Sequence, residues 1–377
     1  MPDPKPFRVL SLDGGGMRGT YTAAYLAKIS ETFARRRGLD GIDVGGAFDL
    51  IVGTSTGGII ACALAAGVPL RDLVTLYRKY GPSIFPRQLP EGLGIGLVQD
   101  IRKRPQDIAA GTEALRKALH ERLGDVRIGD VWQERKIALA ITAVEMSQHR
   151  SWVFKTPHLP NSSHRDDRYK LVDVCLATSA APVYRSLALL PHPDGPTVDG
   201  YNVFVDGGLW ANNPVLVGLI DALEMTEPGQ EIQILCMGTC PRPAGEQIAQ
   251  DELHRGLPDW KFGGLAASLS VDAQEFAYDN MARMLAKHFD RRCEIIRFPG
   301  DKVPAALVPH LELDNTTKAA FDALINQART DADMTNSKCG DPTSREGRII
   351  CSVFDDAPAM AKRPMSNLPV TLQRDAS

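Results

Sequence analysis

Three glycine-rich segments hold the residues of this chain whose types and spacing could do chemistry. They are Asp13-Gly14-Gly15-Gly16-Met17-Arg18-Gly19, Gly53-Thr54-Ser55-Thr56-Gly57 and Asp206-Gly207-Gly208. A serine flanked by glycines at a sharp turn can present its hydroxyl as a nucleophile. A run of glycine N–H groups can cradle an anion, either a nucleotide phosphate or the oxyanion of an acyl-transfer intermediate. A carboxylate ahead of two glycines can cap a turn, bind a metal or act as a general base, and by itself the turn cap is the commonest.

These chemistries require particular elements around them. Leu50 to Val52 reads as the end of a buried strand and Ile59 to Ala66 as a buried helix, so Ser55 falls on a strand–turn–helix. The helix start behind it offers unpaired N–H groups and the positive end of a dipole. Phe7 to Leu12 is a strand running into the first glycine segment, and Thr20 to Arg37 is the helix after it. Tyr201 to Val205 is a strand entering Asp206, and Val215 to Glu224 is a helix, with Trp210, Asn212, Asn213 and Pro214 bracing the turn between. Gly14, Gly16 and Gly19 also satisfy G-x-G-x-x-G, so a dinucleotide site competes on pattern alone. A P-loop lysine is missing. A nucleophile, a base and an anion cradle, each at a strand end, together make the parts of acyl transfer.

Strands and helices alternate through the first 240 residues, the rhythm of an α/β fold with a mostly parallel sheet. Further strands are expected at Lys136 to Val144, Trp152 to Lys155, Glu231 to Gly238 and Glu294 to Phe298. Further helices are expected at Leu70 to Tyr80, Gly111 to Leu123, Leu171 to Ala181, Leu265 to His288 and Thr316 to Ala332. Pro82 to Arg104 reads as an apolar loop punctuated by proline and glycine with a basic end, either a lid or interfacial surface or a loop packed on the body. Three regions follow: a catalytic core at 1–240, a helical extension packed on it at 241–335, and a mostly irregular segment at 336–377 with a disordered tail from Met360.

The net charge is −3 over 377 residues, with 44% hydrophobic and 24% charged residues. That balance gives no reason to expect a nucleic-acid polymer as partner. The 7 cysteines show no zinc-site spacing and read as free thiols. No apolar run approaches the length of a spanning helix and the N-terminus has no signal-type apolar core, so a cytoplasmic protein is expected, touching membrane only peripherally.

The three segments, in this order, resemble the signatures of the patatin-like phospholipases: D-G-G-G-x-R-G, G-x-S-x-G and D-G-G. The similarity covers about residues 7 to 240. It implies a three-layer patatin fold, with helices on both faces of the sheet, and a Ser–Asp dyad of Ser55 and Asp206. It further implies an oxyanion hole from Gly14, Gly15 and Gly16 shaped by Arg18, with Gly53, Gly57, Gly207 and Gly208 supporting the turns. Neither cofactor nor metal is implied. The rival is a Ser–Asp–His triad drawing on His254, His288 or His310, which lie after Asp206 as that chain order requires.

The whole-chain layout is also similar to the cyclic-nucleotide-activated phospholipases of bacterial antiphage signalling. This resemblance implies membrane phospholipids as substrate, a cyclic di- or trinucleotide activator and a role in antiviral defence. A homo-oligomer is left open. An unregulated esterase and a non-hydrolytic nucleotide-binding module at Gly14 to Gly19 are the alternatives.

Overall fold

The computed structural model describes residues 5–88, 95–191, 200–240, 248–250, 253–256, 259–260, 264–300, 303–362 and 364–369. Its strands are β1 (Phe7–Leu12), β2 (Leu50–Thr54), β3 (Ala138–Glu145), β4 (Arg150–Lys155), β5 (Ala188–Pro191), β6 (Tyr201–Asp206), β7 (Ile232–Met237) and β8 (Cys293–Phe298). They form one sheet in the order β5-β6-β3-β2-β1-β7-β8, with β4 on β3. The central pairs from β3 through β8 are parallel, and β4, β5 and β6 add antiparallel pairs.

Side chains alternate across this sheet, and both faces are buried, as a mostly parallel sheet requires. Val9, Leu50 and Val52 point to one core, shared with Val215 and Leu219 of helix α8. Leu10, Leu12 and Ile51 point to the other, shared with α1, α2 and α6. The ranges are α1 (Gly19–Arg36), α2 (Thr56–Ala65), α3 (Leu70–Ile84), α4 (Ile95–Leu123), α5 (Ile128–Arg135), α6 (Leu171–Thr178), α7 (Gly208–Ala211) and α8 (Val215–Met225). The result is the expected three-layer α/β arrangement.

The register of β3 is what later brings the site together. Along one edge of β3 runs β4, pairing Ala140 through Glu145. The other edge is shared: β2 pairs parallel up to Thr54 opposite Thr142, and β6 pairs antiparallel, ending with Asp206 opposite Ala143. Two strands running in opposite directions therefore finish head to head on neighbouring residues of a third.

The remaining helices are α9 (Gly264–Ala286), α10 (Lys318–Lys338) and α11 (Arg345–Asp356). The region expected as a helical extension also gives β8 to the central sheet. Helix α10 lies on α1, where Tyr21 Oη donates to Asp331 at 2.7 Å and Tyr25 Oη meets Thr335 Oγ1 at 2.8 Å.

Two expectations need correction. Within Pro82 to Arg104, Pro82 lies inside α3 and the backbone is already helical from Ile95, continuing through Pro105. Residues 89–94 of that stretch fall outside the described residues. The segment after 336 holds α11, whose Ile349, Ile350, Val353 and Phe354 are buried, with the Phe354 ring 5.4 Å from that of Phe33. Its apolar residues repeat at 3 to 4 positions, a helical spacing that dispersed glycine and charge obscured. Met365 and Leu368 are buried too, so part of the expected tail is packed, while 370–377 lie outside the described residues.

Candidate active site

The turn between β2 and α2 forces Ser55 to φ 54° and ψ −123°, a backbone state that a side-chain-bearing residue rarely adopts. Its neighbours have no room for a side chain. A methyl on Gly53 would lie 2.5 Å from the Gly57 carbonyl oxygen, and one on Gly57 would lie 2.3 Å from that of Leu12. The Ser55 N–H donates to Thr178 Oγ1 at 2.8 Å, and Thr178 in turn donates to the Thr142 carbonyl at 2.7 Å. This chain of bonds pins the strained turn to β3.

Because β2 and β6 meet head to head, Ser55 and Asp206 are neighbours despite their separation in sequence. Ser55 Oγ donates to Asp206 Oδ2 at 2.6 Å. The other carboxylate oxygen accepts from the Gly208 N–H at 2.7 Å, which fixes the carboxylate plane. Asp206 is therefore both the turn cap and the serine's partner. Burial raises its pKa to about 6, against the opposing effects of Ser55, the Gly208 N–H and the Arg185 charge. Among the described residues, no histidine hydrogen-bonds Ser55 or Asp206, so His254, His288 and His310 are not brought to the site.

The first glycine segment packs beside the serine: a methyl on Gly14 would come 3.3 Å from Ser55 Cβ. The expected three donors narrow here to two. The Gly14 N–H is already spent on the Asn212 carbonyl at 3.0 Å. Among the described residues, the N–H groups of Gly15 and Gly16 have no protein acceptor. Gly16 adopts φ +55°, which suits glycine and lets the loop turn. Arg18 is buried and its Nε approaches the Gly15 carbonyl at 3.4 Å, bracing the loop from within. Thr239 Oγ1 donates to the Gly14 carbonyl at 3.0 Å, and Thr239 fills the space beside Gly15. Asn213 behaves as expected, its Oδ1 accepting from the Val215 N–H at the start of α8.

Sequence reasoning passed over several residues that hold this site. Thr178 and Thr239 carry no motif. Arg185 is buried near Asp206, donates to the Gly111 carbonyl at 3.1 Å and lies 4.7 Å from the Phe85 ring centre. Arg297 on β8 pairs with Asp13 at 2.5 Å, with Asp279 at 2.9 Å and with Glu275 at 3.8 Å. Burial pushes Asp13 up to about 7 even so. An arginine directly after two isoleucines in a strand was the available signal for that network.

This arrangement can deprotonate a hydroxyl, bring it to a carbonyl carbon and hold the resulting oxyanion. The pattern described as patatin-like phospholipase matches residues 10–219. A cGAMP-activated phospholipase of Vibrio cholerae is 33% identical over 351 residues, covering 87% of this chain and 93% of that one. A protein of the same name from Pseudomonas aeruginosa is 38% identical over 281 residues, 74% of each chain. Another from Escherichia coli is 35% identical, covering 84% of this chain and 86% of its own length. With more than half of its residues matched to one family, and relatives this similar along most of their lengths, the chain belongs to the patatin-like phospholipases, which hydrolyse lipid acyl esters.

Proposed function

We propose that the chain hydrolyses fatty acyl esters of membrane phospholipids, with Ser55 as nucleophile and Asp206 as its base, under the control of a cyclic nucleotide. The observation that carries this reading is the 2.6 Å bond between Ser55 Oγ and Asp206 Oδ2 at a strained strand–helix turn. Asp206 takes the serine proton as Oγ attacks the ester carbonyl carbon. The carbonyl oxygen becomes an oxyanion and accepts from the Gly15 and Gly16 N–H groups. As the tetrahedral centre collapses, the C–O bond to the lipid breaks and Asp206 returns the proton to the leaving alkoxide, releasing a lysophospholipid. Water, deprotonated by Asp206, then attacks the acyl–Ser55 ester and a fatty acid leaves. A base with a pKa near 6 is far better matched to this work at neutral pH than an ordinary carboxylate.

Regulation is supported by the three relatives whose names state activation by cGAMP. An enzyme that degrades membrane lipid has to be restrained at rest, and an antiviral role would supply the occasion for its release. No helix among the described residues is long and apolar enough to cross a membrane, which fits peripheral contact with the bilayer. Fatty-acid release from phosphatidylglycerol vesicles by wild type, Ser55→Ala and Asp206→Ala, each with and without cGAMP, tests both halves. Release by wild type alone, and only with cGAMP, is the expected outcome. Equal release without cGAMP removes the regulatory half, and activity surviving in Asp206→Ala removes the dyad.

A further inference from the structure

Helix α9 carries apolar residues on both of its sides. Its inward side mixes core packing with charge: Ala282 is buried with Tyr278 and Ala286 beside it, Glu275 and Asp279 face Arg297, and Arg283 pairs with Asp279 at 2.7 Å. Its outward side is apolar. Leu269, Phe276 and Met284 are 56%, 76% and 63% exposed, and Met281 and Leu285 lie alongside them. Spacings of 7 and 8 residues put Leu269, Phe276 and Met284 on one stripe, roughly 22 Å long at the rise of an α-helix. From 269 to 285, Asp272 is the only exposed charged residue of the helix. The outer face of a helix that meets water is polar, and an apolar surface of this extent marks contact with something other than water.

We propose that this face of α9 docks the enzyme on the bilayer that holds its substrate, an inference that rests on the phospholipase reading above. Helix α9 is fastened to the catalytic turn. Gln274 Nε2 donates to the Leu209 carbonyl at 3.1 Å, Tyr278 Oη donates to the Trp210 carbonyl at 2.6 Å, and Asn213 Nδ2 donates to the Glu275 carbonyl at 3.1 Å. Leu209 directly follows Gly208 and is itself 45% exposed. Gln274, Glu275 and Tyr278 lie on the side of α9 away from the stripe, so a lipid engaging the outer face bears on the turn through the helix between them. The charge pattern suits the same occupant. The nearly uncharged stripe gives a polar protein surface little to pair with, and it ends at exposed Lys287 and His288, placed to meet headgroup phosphates.

The test uses the full chain with cGAMP throughout and vesicles of phosphatidylethanolamine and phosphatidylglycerol at 3:1. Phe276→Ser/Met284→Ser is compared with wild type for vesicle flotation, and for vesicle hydrolysis divided by hydrolysis of a water-soluble short-chain ester. That ratio is expected to fall at least tenfold, with flotation lost. In a separate variant, Phe276→Trp, the added indole emission is expected to shift to the blue when vesicles are added. Unchanged flotation and ratio, or an indole signal that ignores vesicles, overturn the proposal and leave the phospholipase reading intact. Unchanged flotation with a change of mass by light scattering also overturns it, in favour of a second copy on this face. If wild type cleaves the soluble ester but never vesicle phospholipid, the underlying reading fails and this inference fails with it.

Discussion

Helices α2 and α9 both support the turns that carry Ser55 and Asp206, and they do so by different rules. Helix α2 has no charged residue and every one of its positions is buried. It backs Ser55 by packing, which is strong and non-directional. Helix α9 reaches residues 209 to 213 through hydrogen bonds, and the glycine loop through the Asp13–Arg297 pair. Such contacts add little net stability but fix position closely. Where α2 turns all its apolar residues to the core, α9 turns Leu269, Phe276, Met281, Met284 and Leu285 outward. One helix is there to hold the fold, while the other holds a geometry and keeps a surface free.

Substitutions can break or sharpen this contrast. The largest effect is expected at the head of α2: Ser55→Ala should lower acyl-ester hydrolysis about 10⁵-fold, with the unfolding transition little changed. Asp206→Asn should lower it about 10⁴-fold while stabilising the folded protein at pH 8. The sign follows from burial. The folded pKa, about 6, lies above the ordinary 3.8, so ionising Asp206 in the folded state costs stability as pH rises through that window. Removing the charge recovers up to about 3 kcal/mol at pH 8 and nothing below about pH 4, as denaturation at the two pH values would show.

On the α9 side, Arg297→Met should lower kcat about 10²-fold by loosening the glycine loop through Asp13, with a smaller change in KM. An equal loss from substituting an unpaired surface arginine would mean that the network does not position the loop. For stability, Ile60→Ala in α2 should cost roughly 2–5 kcal/mol in urea unfolding, whereas Phe276→Ala on α9 should stay within about 0.5 kcal/mol. A comparable cost at Phe276 would mean that its face is covered, and the contrast would be lost. The smallest effect concerns Arg185, whose charge draws the Asp206 pKa down. Arg185→Gln should move the acidic limb of the kcat/KM profile to higher pH without abolishing activity.

How much of this was legible depended on how local the cause was. Ser55, its flanking glycines and the strand–helix context were readable because the elbow is a short-range steric arrangement. Asp206 stood out only as one of three glycine-rich strand ends. The loop expected at Pro82 to Arg104 gave too much weight to proline and glycine: Pro82 falls inside α3 and Gly96 inside α4. Helix α11 was missed because its partner surface, around Phe33, lies more than 300 residues away in sequence.

By itself the sequence determined the strand–turn–helix units, the three chemical segments and their order, since hydrophobic period and glycine placement are local constraints. Tertiary structure decided the rest. The edge of β3 shared by β2 and β6 sets the Ser55–Asp206 distance, and burial raises the Asp206 pKa. Packing also took the Gly14 N–H out of the anion cradle and set the apolar stripe of α9 facing outward. These outcomes depend on which surfaces meet, and no window of sequence contains both sides of a contact.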